Sequence, residues 1–201
     1  MTDLEAGSAS LGAAAARGKR DRLIAAATEL LYRQGVEMTT LADIALSAEV
    51  PLGNVYYYFK TKDEIIDAVV QAHLHTIRRT LAAIEADHRT PKGRLKALVK
   101  VLVGESDLIA EYGCPQGSLC SELNKRGSDG DHCAPDLIRV PLSWVQEQFR
   151  LMGRRDAYDL AVTLMATYQG TALLSNTLSD PTLMTRESRR LSRWIDSLAA
   201  S

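Results

Sequence analysis

A chain of 201 residues with 24 basic and 25 acidic side chains is long enough to bury a core, and its near-neutral balance excludes a general attraction to nucleic acid or to a membrane surface. Its three cysteines, an odd number, argue against a disulfide framework. No apolar run approaches the roughly 20 residues of a membrane span, and the N-terminus lacks the charged-then-apolar order of a signal peptide, so the expectation is a reduced, cytoplasmic protein with no membrane partner.

Residues 1–16, rich in Ala, Gly and Ser, read as a flexible tail. Nearly every segment after them carries helical periodicity and none alternates convincingly, so the expected fold is all-α. The first helix is expected from Lys19 to Gln34, with Leu23, Ile24, Ala27, Leu30 and Leu31 as its buried stripe and Gly35 as its stop. Thr39 or Thr40 caps the second, with Asp43 as an acidic capping partner, and this helix ends between Ser47 and Glu49. Pro51 suits the start of a third, where its missing N–H costs little; this one ends between Tyr57 and Lys60. Thr61 caps a fourth, with Asp63 and Glu64 in its first turn, running to Asp87.

Pro91 opens a fifth helix that is expected to end before Gly113. Cys114-Pro115 begins a sixth, to Asn124, and residues 126–132 form a loop by composition. A seventh covers Pro135–Met152, with Pro141 kinking it or marking its true start. The last two span residues 156–177 and 182–199.

Charge is distributed unevenly along this chain. Between Arg17 and Lys62 lie seven basic and five acidic residues, the basic ones crowded at the two ends, so the N-terminal part is locally positive while the rest is slightly acidic. Residues 39–62 combine an apolar spine (Leu41, Ile44, Ala45, Val50, Val55, Phe59) with a polar, tyrosine-rich outer face. Ala45 and Ala48 allow two helices to approach closely, and the third helix presents Pro51, Leu52, Gly53, Asn54, Tyr56 and Tyr57 outward. This is the pattern of a helix-turn-helix, whose second helix enters the major groove. Asn54 can pair with adenine and Leu52 can contact a thymine methyl. Gly53 lets the backbone approach closely. Thr40, Tyr56, Tyr57 and Lys62 can bond phosphates.

The segment from Arg20 to Ile66 resembles the DNA-binding head of the tetracycline-repressor (TetR) family. The resemblance is carried by Ala26-Ala27 with Leu30-Leu31, Gly35, Thr39-Thr40, Asp43-Ile44-Ala45, Gly53 through Phe59, and Lys62-Asp63-Glu64. It implies a dimeric, ligand-responsive transcription factor, most often a repressor, with phosphate contacts at Thr40, Tyr56, Tyr57 and Lys62. Pro51-Leu52 departs from the polar start that many members carry, which bears on base reading and not on the fold. The implied domains are a helix-turn-helix head at 17–62 and a helical effector-binding and dimerisation body at 63–201.

For the body the resemblance implies only architecture: a helical bundle with a ligand cavity, dimerising through the last two helices, 156–177 and 182–199. The residues agree with this, since Ala161, Leu164, Met165, Tyr168, Ala172 and Leu173 form an apolar face on the first, and Leu191, Trp194, Ile195 and Leu198 on the second. Leu102, Cys114, Leu119, Trp144, Gln148, Met165 and Tyr168 are the candidate cavity residues, a mixture suited to a small, mostly apolar effector.

The segment from Tyr112 to Leu123 is similar to a Gly-Cys-Pro-x-Gly stretch in one branch of the same family. A cysteine at a helix start can favour thiolate, which makes an oxidant- or electrophile-sensing regulator using Cys114 the alternative reading. Cys114, Cys120, His132 and Cys133 do not have metal-ligand spacing, and no metal or other cofactor is expected. No nucleophile elbow, phosphate-cradling loop or paired-carboxylate site is present, so the chain is not expected to be an enzyme; a helical enzyme or carrier with an incidental helix-turn-helix is the remaining rival.

Overall fold

The computed structural model describes residues 18–126 and 134–198. The expected tail, all but the first residue of the expected loop at 126–132, and the expected end of the last helix at Ala199 lie outside the described residues. Among the described residues the regular elements are helices, and none is a strand. They are α1 (Lys19–Met38), α2 (Leu41–Ser47), α3 (Leu52–Tyr58), α4 (Lys62–Asp87), α5 (Pro91–Leu102), α6 (Ser106–Tyr112), α7 (Pro115–Lys125), α8 (Asp136–Leu151), α9 (Ala157–Leu178) and α10 (Thr182–Ser197). The chain divides into two compact units, Met1–Val69 and Val70–Ser201, and the division falls inside α4.

In the first unit α2 packs on α1 and α3, and Leu23, Ala27, Val36, Ile44, Val55, Phe59, Ile65 and Ile66 are buried. Gly35 does leave helical geometry, at φ 81° and ψ 170°, but another turn follows it and α1 runs on to Met38. Only a residue without Cβ adopts that backbone at little cost. Thr39 and Thr40 divide their work. Thr39 is buried and its hydroxyl donates to the Gly35 carbonyl at 2.8 Å, whereas Thr40 caps α2.

The turn from α2 to α3 is closed by two reversed bonds, from the Val50 N–H to the Ala45 carbonyl at 2.9 Å and from the Glu49 N–H to the Leu46 carbonyl at 3.1 Å. Glu49 takes the left-handed conformation there, at φ 53°, in the place where helix ends usually carry glycine.

In the second unit α9 is central, packing on α6, α8 and α10, while α5 lies against α8 and α10 and α7 against α8. The main core joins Leu81, Leu95, Val99, Val145, Phe149, Leu164 and Ile195. A smaller one joins Ile109, Cys114, Tyr168, Ala172 and Met184.

Three expectations are corrected in this unit. The single helix expected after Pro91 is two, because the chain leaves helical geometry at Val103 (φ −108°, ψ 4°) and Gly104, and the Ser106 hydroxyl bonds back to the Val103 carbonyl at 2.6 Å. Pro141 lies inside α8 and is not its start; near the N-terminal end its ring forfeits one i→i−4 bond, to the Leu137 carbonyl, and is buried in exchange. The third concerns the face proposed for dimerisation. Ala161, Leu164, Met165, Tyr168 and Ala172 are buried within the protomer, as are Leu191 and Ile195, and Trp194 and Leu198 pack on the same core. Of the whole set Leu173 alone is exposed, at 66%. The opposite side of α9 carries Tyr158, Val162, Leu174 and Leu178, all exposed and apolar, with Ala166 and Gly170 exposed between them. With large apolar residues on both sides of α9, periodicity offers little contrast to separate its inner stripe from its outer one.

Candidate nucleic-acid interface and effector cavity

Two apolar residues anchor α3 and its end, Val55 at 0% exposure and Phe59 at 2%. The rest of this short helix is exposed or half-buried. Pro51, Leu52, Gly53, Tyr56 and Tyr57 are exposed and Asn54 is half-buried, and Tyr57 at 77% exposure projects furthest. Tyr58 is half-buried and meets Tyr57 edge-on at 4.9 Å, so the two rings limit each other's rotation. Beneath them the Arg20 guanidinium lies over the Phe59 ring at 5.3 Å, which ties the start of α1 to the end of α3.

Gly53 is informative for what surrounds it: a Cβ there would meet nothing within 4 Å. Its backbone is helical, so neither packing nor conformation within the protomer calls for glycine. We therefore expect Gly53→Ala to stabilise the chain by about 0.5–1 kcal/mol through helix propensity and to weaken DNA binding. Thermal unfolding and DNA titration on one preparation check both halves.

Around α3, Thr40 heads α2 in a reciprocal capping box. Its hydroxyl accepts from the Asp43 N–H at 3.1 Å, and Asp43 Oδ2 accepts from the Thr40 N–H at 2.9 Å and from the Thr40 hydroxyl at 2.6 Å. Those bonds, the side-chain one first, hold the Asp43 carboxyl below the usual carboxylate range. The Thr40 hydroxyl thus already has an anionic acceptor, which a phosphate would have to replace. Lys62, at the start of α4, reaches the Glu37 carbonyl at 3.4 Å, and Lys60 donates to the Tyr56 carbonyl at 2.6 Å. The Lys60 ammonium therefore lies beside the tyrosine run. Lys60 was not among the residues singled out from the sequence, although its place after the aromatic run is itself a signal.

The second unit holds a cavity of about 460 Å³. Helix α4 contributes Thr76, Ile77, Thr80 and Leu81; Leu98, Val101 and Leu102 come from α5, and Leu137, Ile138 and Pro141 from α8. Met165, Tyr168 and Gln169 of α9 close one side, and Gln116 and Glu105 add polar groups. Among the described residues, no lysine, arginine or histidine lines it.

Of the residues expected here, Leu102, Met165 and Tyr168 are brought together. Cys114 lies on a neighbouring depression instead. Leu119 is buried and is not part of the wall. Trp144 donates from Nε1 to Glu85 at 2.8 Å, and Gln148, at 1% exposure, accepts from Arg94 at 3.5 Å; neither reaches the cavity lining. Sequence reading missed Thr76, Thr80, Gln116 and Gln169. The two threonines, one helical turn apart on the face of Ile77 and Leu81, were the visible signal.

Cys114 caps α7. Its sulfur accepts from the Gly117 N–H at 3.4 Å and from the Tyr168 hydroxyl at 3.5 Å, and its thiol faces Gln116 Oε1 at 3.5 Å. The Cys120 thiol donates to the Ala134 carbonyl at 3.1 Å and is pushed up to about 11, by burial first and by the neighbouring Cys114 second. That is the environment of an inert thiol. His132 and Cys133 lie outside the described residues.

An exposed third helix in a helix-turn-helix head, and in the second unit a helical bundle with a mostly apolar cavity, are the features of the helix-turn-helix regulators. Residues 23–69 match the family described as bacterial regulatory proteins, tetR family. The chain is 34% identical to the probable HTH-type transcriptional regulator ArpR of Pseudomonas putida over 169 residues, 77% of this chain and 79% of that one. It is 28% identical, over 77% of its length and 80% of the other's, to the HTH-type transcriptional repressor DhaR of Mycobacterium sp. (strain GP1). In fold it is similar to SCO4454, a TetR-family regulator from Streptomyces coelicolor, with a TM-score of 0.76 at 21% identity over 88% of this chain and 93% of that one. The chain belongs to the TetR family of transcriptional regulators and is a DNA-binding protein.

Proposed function

We propose that two copies associate through the exposed side of α9, together with α10, and lower their α3 helices into successive major grooves of a palindromic operator. Asn54 and Leu52 read base edges; Thr40, Tyr56, Tyr57 and Lys62 hold phosphates; Pro51 and Gly53 let the backbone come close. The protein acts as a repressor. A small, mostly apolar effector occupies the cavity between α4, α5, α8 and α9 and lowers affinity for the operator. By linkage the same effector then binds the operator complex more weakly than the free protein. The lining supports an uncharged or cationic molecule, since among the described residues an anion would find no basic partner there and Glu105 would repel it.

The observation that carries this reading is the outward face of α3: Val55 alone is buried along that helix, leaving Leu52, Tyr56 and Tyr57 exposed beside the half-buried Asn54 as a row of groove-compatible side chains. Selection of bound duplexes from random fragments at low ionic strength tests it, followed by a salt titration on the selected site. We expect strongly salt-dependent binding, and a Lys62→Met slope of log affinity against log salt shallower by about 0.9 for each phosphate contact removed. Binding that ignores salt, or no duplex recovered at all, would end the proposal.

A further inference from the structure

We propose that the side chain of Gln169 is the partition between the effector cavity and a second depression in the same unit, and that Gly117 seats it there by having no side chain. The pair then sets the length of ligand that the cavity accepts. This rests on the reading of the cavity as the effector site.

The second depression, about 340 Å³, lies beside the start of α7 and is lined in part by Gly113, Cys114, Ser118 and Asn176. Gln169 is the residue common to both linings. The wall runs along the first turn of α7, with Pro115 and Gln116 facing the cavity and Cys114 and Gly117 facing the depression. Tyr168, on the cavity side, bonds Cys114 on the other, so the wall is thin and Gln169 is its movable part.

Gly117 has no conformational reason to be glycine. It sits within α7, where alanine is favoured, unlike Gly113, whose φ of 84° needs it. What an added Cβ would meet is Gln169: 2.6 Å to Oε1 and 3.4 Å to Cδ. Any side chain at 117 must therefore drive that amide from its seat. The amide is the far end of a flexible chain, so the move is compatible with folding.

The test is fluorescence titration with two neutral apolar dyes, 1-N-phenylnaphthylamine and the longer 1,6-diphenylhexatriene, on wild type, Gln169→Ala, Gly117→Ala and the double variant. Circular dichroism first establishes that each is folded. Gln169→Ala joins the two spaces and is expected to raise affinity for the longer dye about tenfold relative to the shorter. Gln169→Asn, one methylene shorter, should fall between. Gly117→Ala should change the dye ratio in wild type and leave it unchanged once Gln169 is already alanine.

Both dyes binding with one ratio in all variants would overturn the partition, as would a Gly117→Ala effect of equal size in both backgrounds. Failure of either dye to bind any variant would instead remove the effector-cavity reading and this inference with it.

Discussion

Leu173→Glu is expected to leave each protomer folded and to abolish operator binding. Leu173 is 66% exposed on α9, between Tyr158 and Val162 on one side and Leu174 and Leu178 on the other. Nothing in the protomer's core depends on it. In a two-fold dimer built on this face the residue occurs twice, and each carboxylate would be buried in a largely apolar contact, a cost of several kcal/mol. A monomer presents one head to one half-site and forfeits the gain from tethering the second, about 10²- to 10⁴-fold. Sedimentation and DNA titration together are decisive: a variant that stays dimeric with unchanged affinity would move the interface to another surface. Gly170 provides an independent probe, because a Cβ there meets nothing within 4 Å. Gly170→Leu fits the protomer and obstructs only a close partner.

Phe149→Ala should be the most destabilising simple truncation, by about 3–5 kcal/mol. The ring is fully buried at the centre of the main core and stands edge-on to Trp194 at 5.8 Å, so α8 and α10 both lose a partner. Around it Val145, Leu164 and Ile195 are also fully buried, and close-packed neighbours of that kind collapse only in part into a void. The shift in denaturant midpoint of the whole chain measures it. A loss below about 1 kcal/mol would mean that the cavity closes and that the core is softer than its burial implies.

The two regions of interest differ in how far they could be read before the fold was seen. In the head, function is local. Thr40 and Asp43 are three residues apart and cap α2 by direct contact; Val55 and Phe59 are one turn apart and both turn inward; the residues between them are left outside by the same periodicity. Reading helix, cap and outward face all follow from spacings shorter than ten residues. The boundaries that slipped are also local. Gly35 broke the helix as expected, but nothing nearby signalled the extra turn to Met38, and Gly104 with Ser106 was a break signal that the apolar run around it concealed.

The body is another matter, because its cavity is assembled from residues as far as 93 apart in the chain, Thr76 and Gln169. Thr76, Leu102, Gln116, Pro141 and Gln169 meet at one cavity through the packing of α9 against three other helices, and no interval in the sequence records that packing. Trp144 and Gln148 have the composition of cavity residues and were turned instead to Glu85 and Arg94. The clearest case is α9 itself. Amphipathic periodicity tells inside from outside by contrast, and a helix with large apolar residues on both sides offers little; which stripe joined the core and which stayed exposed was settled when α6, α8 and α10 closed over one side of it. Composition and short spacings were enough to specify an all-helical DNA-reading head, whereas the lining of the cavity and the free face of α9 exist only once distant helices have chosen their partners.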